Sequence, residues 1–181
     1  MQTAKTMKSR CRNSRGFTLL EIVAVLVILG ILSAIVFATR TNTEADLFTA
    51  TEALRSHLRY AQTQAMNKNT LLPPQNQILS WGIRCDGNQY WLFSGVNPAA
   101  NIQTLPDTTA VANQGVSLAA KGMRANAFTV FFDERGIPYS AYTNATVNVR
   151  WTDNDNPIVV TDLNSGATRN ITITPLTGFI P

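Results

Sequence analysis

Between Arg15 and Ser33 the chain reads RGFTLLEIVAVLVILGILS. A basic leader closes at Gly16, and an uncharged run follows that is broken only by Glu21. A carboxylate within an apolar span costs roughly 2.5 to 3.5 kcal/mol at a bilayer centre, so its presence requires a function. Ile22 to Ala38 carries no charge, and Phe17 to Leu20 extends the run on the other side of Glu21. Written as a helix, that stretch is about 33 Å long, close to the hydrocarbon thickness of a membrane. An ordinary secretory signal has an apolar core of only about 7 to 15 residues. Val36-Phe37-Ala38 has the composition of a signal cleavage site, but Glu21 and the overlong run argue against that reading.

The 181 residues allow one anchor and one modest globular domain. Formal net charge is +4 with a sequence pI near 9.4, a balance that on its own suggests an anionic partner. Position overrides the total. Lys5, Lys8, Arg10, Arg12 and Arg15 all precede Gly16, and without them Lys plus Arg falls from 15 to 10, one fewer than the 11 acidic residues. The charge pattern therefore argues against nucleic acid as a partner. It sets topology instead, with the basic flank in the cytoplasm and the chain beyond about residue 40 outside it. Cys11 lies in that basic segment, and removal of the segment would leave Cys85 without a partner for an intrachain disulfide.

Past a polar patch at Thr39 to Thr43, apolar residues recur at Leu47, Ala50, Leu54, Leu58, Ala61 and Ala65. Steps of three and four place them in one stripe of an amphipathic helix. Neither Gly nor Pro interrupts Ile31 to Thr70, so Phe17 to about Asn67 reads as one rod of roughly 75 Å, ended by Lys68-Asn69 and Pro73-Pro74. From Gln77 the helical period gives way to short β-branched and aromatic runs. These are Ile78 to Cys85, Gln89 to Ser94, Gly115 to Ala119, Phe128 to Phe132, Ala145 to Trp151, Ile158 to Thr161 and Asn170 to Thr174. Asp86-Gly87-Asn88, Asp133-Glu134-Arg135-Gly136 and Asn164-Ser165-Gly166 have turn compositions. Val147, Val149 and Trp151 alternate with polar residues, as do Ile171 and Ile173, which predicts antiparallel sheets with one dry face. Asn97 to Asn113 reads as a long surface loop. The fold class is thus α+β: a long N-terminal helix packed on a C-terminal antiparallel β domain. Its segments are a leader (1–16), an apolar helix (17–40), an amphipathic half (41–70) and a β-rich domain (77–181).

The N-terminal stretch resembles type IV prepilins and type II secretion pseudopilins. With LRYAQTQAMNKN, FFDERGIP and the terminal ITITPLTGFI, the chain is similar to the GspH/FimT group of minor pilins and pseudopilins. The resemblance implies cleavage by a prepilin peptidase between Gly16 and Phe17, and methylation of the Phe17 amine. It implies charge pairing through Glu21 during assembly with other pilin subunits, on an inner-membrane assembly platform. The implied role is a non-enzymatic minor subunit of a type II secretion pseudopilus or type IV pilus, priming the filament or sitting at its tip. It would be held in the bilayer with its C-terminal domain in the periplasm. The alternative is a DNA-binding minor pilin for uptake, although the tail from Pro175 to Pro181 has no cation and Arg150 and Arg169 are a thin basis for phosphate binding. One departure concerns Ala38, which stands where many major pilins carry proline, leaving Gly30 as the only helix weakener.

Other constellations read as structural. His57 lies off the dry stripe, exposed or lining a groove, and a lone imidazole makes no metal site. Pairing with Cys85 as a nucleophile lacks an orienting third group, and Cys85 reads as a small buried strand residue. Asp153-Asn154-Asp155-Asn156 and Asp162-Leu163-Asn164-Ser165-Gly166 lack the spacing of a calcium loop and fit hairpin connections. Trp81, Trp91 and Trp151 fall on expected strands, where core packing is their fate. No metal and no cofactor is implied.

Overall fold

A computed structural model of the chain describes residues 18–68, 80–106, 115–144 and 146–181, with the side chains at 34–43 excepted. The leader, Gly16, Phe17 and the expected helix stop at Pro73-Pro74 lie outside the described residues. Two compact units divide the chain, the first closing at Thr39 and the second covering Arg40–Pro181. Helix α1 (Leu19–Lys68) begins in the first and supplies residues to the second. In the first unit every described side chain is exposed, with Leu19 at 83%. Among the described residues, no helix is long and apolar enough to cross a membrane. The span expected over 17–40 includes Phe17 and the side chains at 34–40, which are not among them.

In the second unit the helix stripe is dry throughout. Leu47, Ala50, Leu54, Leu58, Ala61 and Ala65 are all buried, as their spacing predicts. The strands are β1 (Trp81–Cys85), β2 (Gln89–Ser94), β3 (Ile102–Gln103), β4 (Val116–Ser117), β5 (Met123–Ala125), β6 (Phe128–Phe132), β7 (Pro138–Tyr142), β8 (Asn148–Arg150), β9 (Ile158–Asp162) and β10 (Thr168–Ile171). The larger sheet runs β3-β2-β1-β6-β7-β8, with β4 also paired to β2, and the smaller runs β10-β9-β5. All pairings are antiparallel.

Period-two alternation assigns the faces. Trp81, Ile83 and Cys85, Tyr90 and Leu92, and Phe128, Val130 and Phe132 join the helix stripe in one core, together with Ile158, Val160, Ile171 and Ile173 from the smaller sheet. Each such side chain contributes about 1.5 to 3 kcal/mol by leaving water. Phe93, Phe131, Tyr139 and Tyr142 form a second buried cluster elsewhere, with the Phe93 and Phe131 rings edge-on at 5.0 Å.

Several expectations need correction. Val147 and Val149 are 59% and 57% exposed, so only Trp151 of that alternating set reaches the core. Val149 sits on β8, the last strand of the larger sheet, and Val147 just before it, where nothing among the described residues covers them. The expected loop from Asn97 contains β3, which pairs with β2, and the buried Leu105. β5 and β7 fall where no strand is expected, and Ala119–Lys121 is a 3-10 turn rather than the end of a strand.

Candidate functional site

Thr18-Leu19-Leu20-Glu21 has the spacing of a capping box, a helix-start signal. The Glu21 amide donates to the Thr18 carbonyl at 3.0 Å and to Thr18 Oγ1 at 3.3 Å, and the Ile22 amide donates to the same carbonyl. Thr18 thereby fixes where the helix begins and places Glu21 in its first turn, where the helix dipole favours a carboxylate. Around it Leu19, Leu20, Ile22, Val23, Val25 and Leu26 are exposed on every side, because successive residues turn by about 100°. The result is a single acid within an apolar cylinder that has no covering in the described structure. Gly16 and Phe17, the other two residues of the expected assembly site, lie outside the described residues.

A second constellation ties together the three stretches that carry the C-terminal resemblance. From LRYAQTQAMNKN on α1, Gln62 Nε2 donates to the Gly136 carbonyl at 2.9 Å and the Gly178 carbonyl at 3.1 Å. One turn earlier, Arg59 donates Nε and Nη2 to the Ile180 carbonyl at 3.1 and 2.9 Å. FFDERGIP is held by Asp133, whose Oδ1 accepts the Arg135 and Ile137 amides, both at 2.9 Å. Its Oδ2 accepts the Tyr139 hydroxyl and Arg135 Nη2. The tail closes its own turn, with the Gly178 amide donating to the Thr174 carbonyl at 2.8 Å. Gln62 and Arg59 were not legible as partners from sequence, since their separations of 74 to 121 residues carry no local signal.

The residues weighed for chemistry are occupied by structural bonds. His57 is 7% exposed, which overturns its reading as an exposed or groove-lining residue. Its Nε2 meets the Pro106 carbonyl at 3.3 Å, a pure acceptor, so Nε2 carries the proton and in the neutral ring Nδ1 accepts from Tyr90 Oη at 2.9 Å. Cys85 receives the Gly87 amide at Sγ and is a buried free thiol. Burial pushes that thiol up, against the lowering effect of the Gly87 bond. Tyr90 is likewise raised, first by burial and then by the Cys85 charge. Asp155 Oδ2 accepts the Thr152 amide and hydroxyl, and Asp162 Oδ1 accepts the amides of Asn164 and Ser165. Both acidic loops use their carboxylates to close turns. Trp81 and Trp151 are buried, whereas Trp91 is half-buried and donates Nε1 to the Pro98 carbonyl at 2.7 Å. Of the two cations weighed for nucleic acid, Arg169 lies over the Phe48 ring at 4.8 Å.

Residues 11–37 match the prokaryotic N-terminal methylation motif. Residues 50–177 match the family described as type II transport protein GspH, a span that includes Gln62 and Gly136 and ends one residue short of Gly178. No curated protein and no solved structure matches the chain. With a prepilin-type motif at its start and the second match covering well over half its length, the chain belongs to the GspH family of pilin-like type II transport proteins.

Proposed function

We propose that this chain is a minor subunit of a type II secretion pseudopilus or type IV pilus, matured by a prepilin peptidase and drawn into the filament through Glu21. The observation that carries the reading is the lone acid in the first turn of α1, whose residues from Leu19 to Ser33 are otherwise uncharged and exposed. Cleavage after Gly16 frees the α-amine of Phe17. In a low-dielectric filament core that amine and the Glu21 carboxylate of a neighbouring subunit each relieve the other's desolvation, while either alone is strongly disfavoured. The pairing fixes axial register, which apolar contacts by themselves leave loose. Before assembly, the apolar helix is held in the inner membrane with the β domain in the periplasm. The role is structural, at the tip or in priming, and its partners are the peptidase, the assembly platform and other pilin subunits.

The test is the Glu21→Ala variant expressed in a host that carries the assembly machinery. Leader removal and a folded β domain are expected to persist, with the variant retained in the membrane fraction and lost from sheared filaments. Incorporation equal to the unsubstituted chain would refute the pairing.

A further inference from the structure

The larger sheet opens in its middle. β6 is paired with β1 along its whole length, from Phe128↔Cys85 to Phe132↔Trp81. With β7 it pairs only at Phe131↔Tyr139 and Phe132↔Pro138. Beyond Tyr139 the register of β7 shifts against β8, and the strand follows β8 instead. The Asp133 amide donates to the Ile137 carbonyl, so Asp133 turns its backbone toward β7. Alternation along the strand gives Phe131 and Thr129 the same orientation. Phe131 meets Tyr139, whereas the amide and carbonyl of Thr129 face no paired strand among the described residues. At the gap lies a cleft of about 620 Å³, lined in part by Thr129, Ser140 and Trp151. The Trp151 indole is buried, and its Nε1–H has no acceptor among the described residues.

An open strand edge offers a donor and an acceptor at β spacing, a pattern matched by extended polypeptide. Charge narrows the choice. Asp86 and Asp155 line the cleft together with Arg84. The Arg84 guanidinium sits 6.0 Å over the Trp91 ring. The Asp86 carboxyl is held below its usual range by the amides of Gln89 and Asn88, so it is ionised at neutral pH. Asp155 serves Thr152 through Oδ2 and leaves Oδ1 as an acceptor. Two carboxylates against one guanidinium favour a cationic occupant. We propose that this slot receives an extended, lysine- or arginine-bearing segment of another protein, added as a strand against Thr129 with its basic side chain toward Asp155 and Asp86. The inference is independent of Glu21 and of leader cleavage.

The test uses the full chain in detergent micelles. The probe is a blocked hexapeptide of alternating valine and threonine with one central lysine, followed by calorimetry and amide hydrogen exchange. Saturable binding with Kd below about 1 mM is expected, with exchange at Thr129 slowed at least about tenfold. A peptide with glutamate in place of lysine is expected to bind about tenfold more weakly or worse. Ser140→Phe fills the gap and removes binding. Asp155→Asn, which keeps an oxygen for Thr152, weakens the lysine peptide but not its glutamine counterpart, and serves as the readout if Ser140→Phe fails to fold. Unchanged exchange at Thr129 in about 5 mM peptide would overturn the proposal. So would equal affinity for the lysine and glutamate peptides. Protection of Thr129 that rises with protein concentration in the absence of peptide would assign the slot to a second copy and overturn it too.

Discussion

Replacing Gly178 with alanine tests whether the tail, the FFDERGIP turn and the helix are locked at one point. Gly178 has φ +67°, and a Cβ built there would stand 2.2 Å from the Gly136 carbonyl oxygen and 2.5 Å from Gln62 Nε2. Left-handed backbone costs a non-glycine residue roughly 1 to 2 kcal/mol. The clash also displaces Gln62, whose two hydrogen bonds contribute about 1 kcal/mol each. Gly178→Ala is therefore expected to cost about 3 to 4 kcal/mol, a large share of a typical stability of about 5 to 15. Gly166 provides the control, with φ +72° and nothing within 4 Å of an added Cβ. Gly166→Ala carries the backbone cost alone, roughly 1 to 2 kcal/mol. Urea unfolding of the full chain in detergent, followed by fluorescence of the buried Trp81 and Trp151, separates the two. With a slope of about 1 to 3 kcal/mol per molar, the midpoints should differ by about 1 to 2 M. Equal midpoints would refute the lock.

Leu58 is fully buried at the centre of the helix stripe, so Leu58→Ala is expected to cost about 3 to 5 kcal/mol by the same urea assay. A cost under about 1 kcal/mol would mean that the helix does not carry the core. For pH dependence, the buried thiol of Cys85 is raised above its ordinary value. The unfolded thiol loses its proton first, near pH 8.5, so the unfolded state binds fewer protons and stability declines as pH rises from about 8.5 toward the folded value. Tyr90 adds a decline in the same direction at higher pH. Cys85→Ala should flatten the first part of the profile and Tyr90→Phe the second, measured as unfolding free energy between about pH 7 and 11. Stability that rises over that interval would contradict the burial of both groups.

Local patterns were legible where one period ran undisturbed and both neighbours were strong. The stripe from Leu47 to Ala65 is dry as its spacing requires, and Gln89–Ser94 and Phe128–Phe132 appear with their expected limits. β7 escaped notice because it opens on Pro138 and its alternation breaks at the register shift between Tyr139 and Ala141. The pair Val147 and Val149 shows a different failure. Alternation states which side chains share a face, but only topology decides whether anything covers that face. His57 fails for a third reason, because a polar residue off the stripe reads as exposed until Tyr90 and Pro106, far away in sequence, supply its bonds. At the candidate site, Glu21 was legible because a charge in an apolar run stands out. Gln62 was not, since its partners are backbone carbonyls that leave no trace in composition.

In the proposed function, filament entry depends on maturation between Gly16 and Phe17, and intact-mass spectrometry of the chain purified from membranes of a host with the peptidase reads it directly. The account predicts a species beginning at Phe17 and heavier by one methyl group on its amine. A mass that retains residues 1–16 would contradict it.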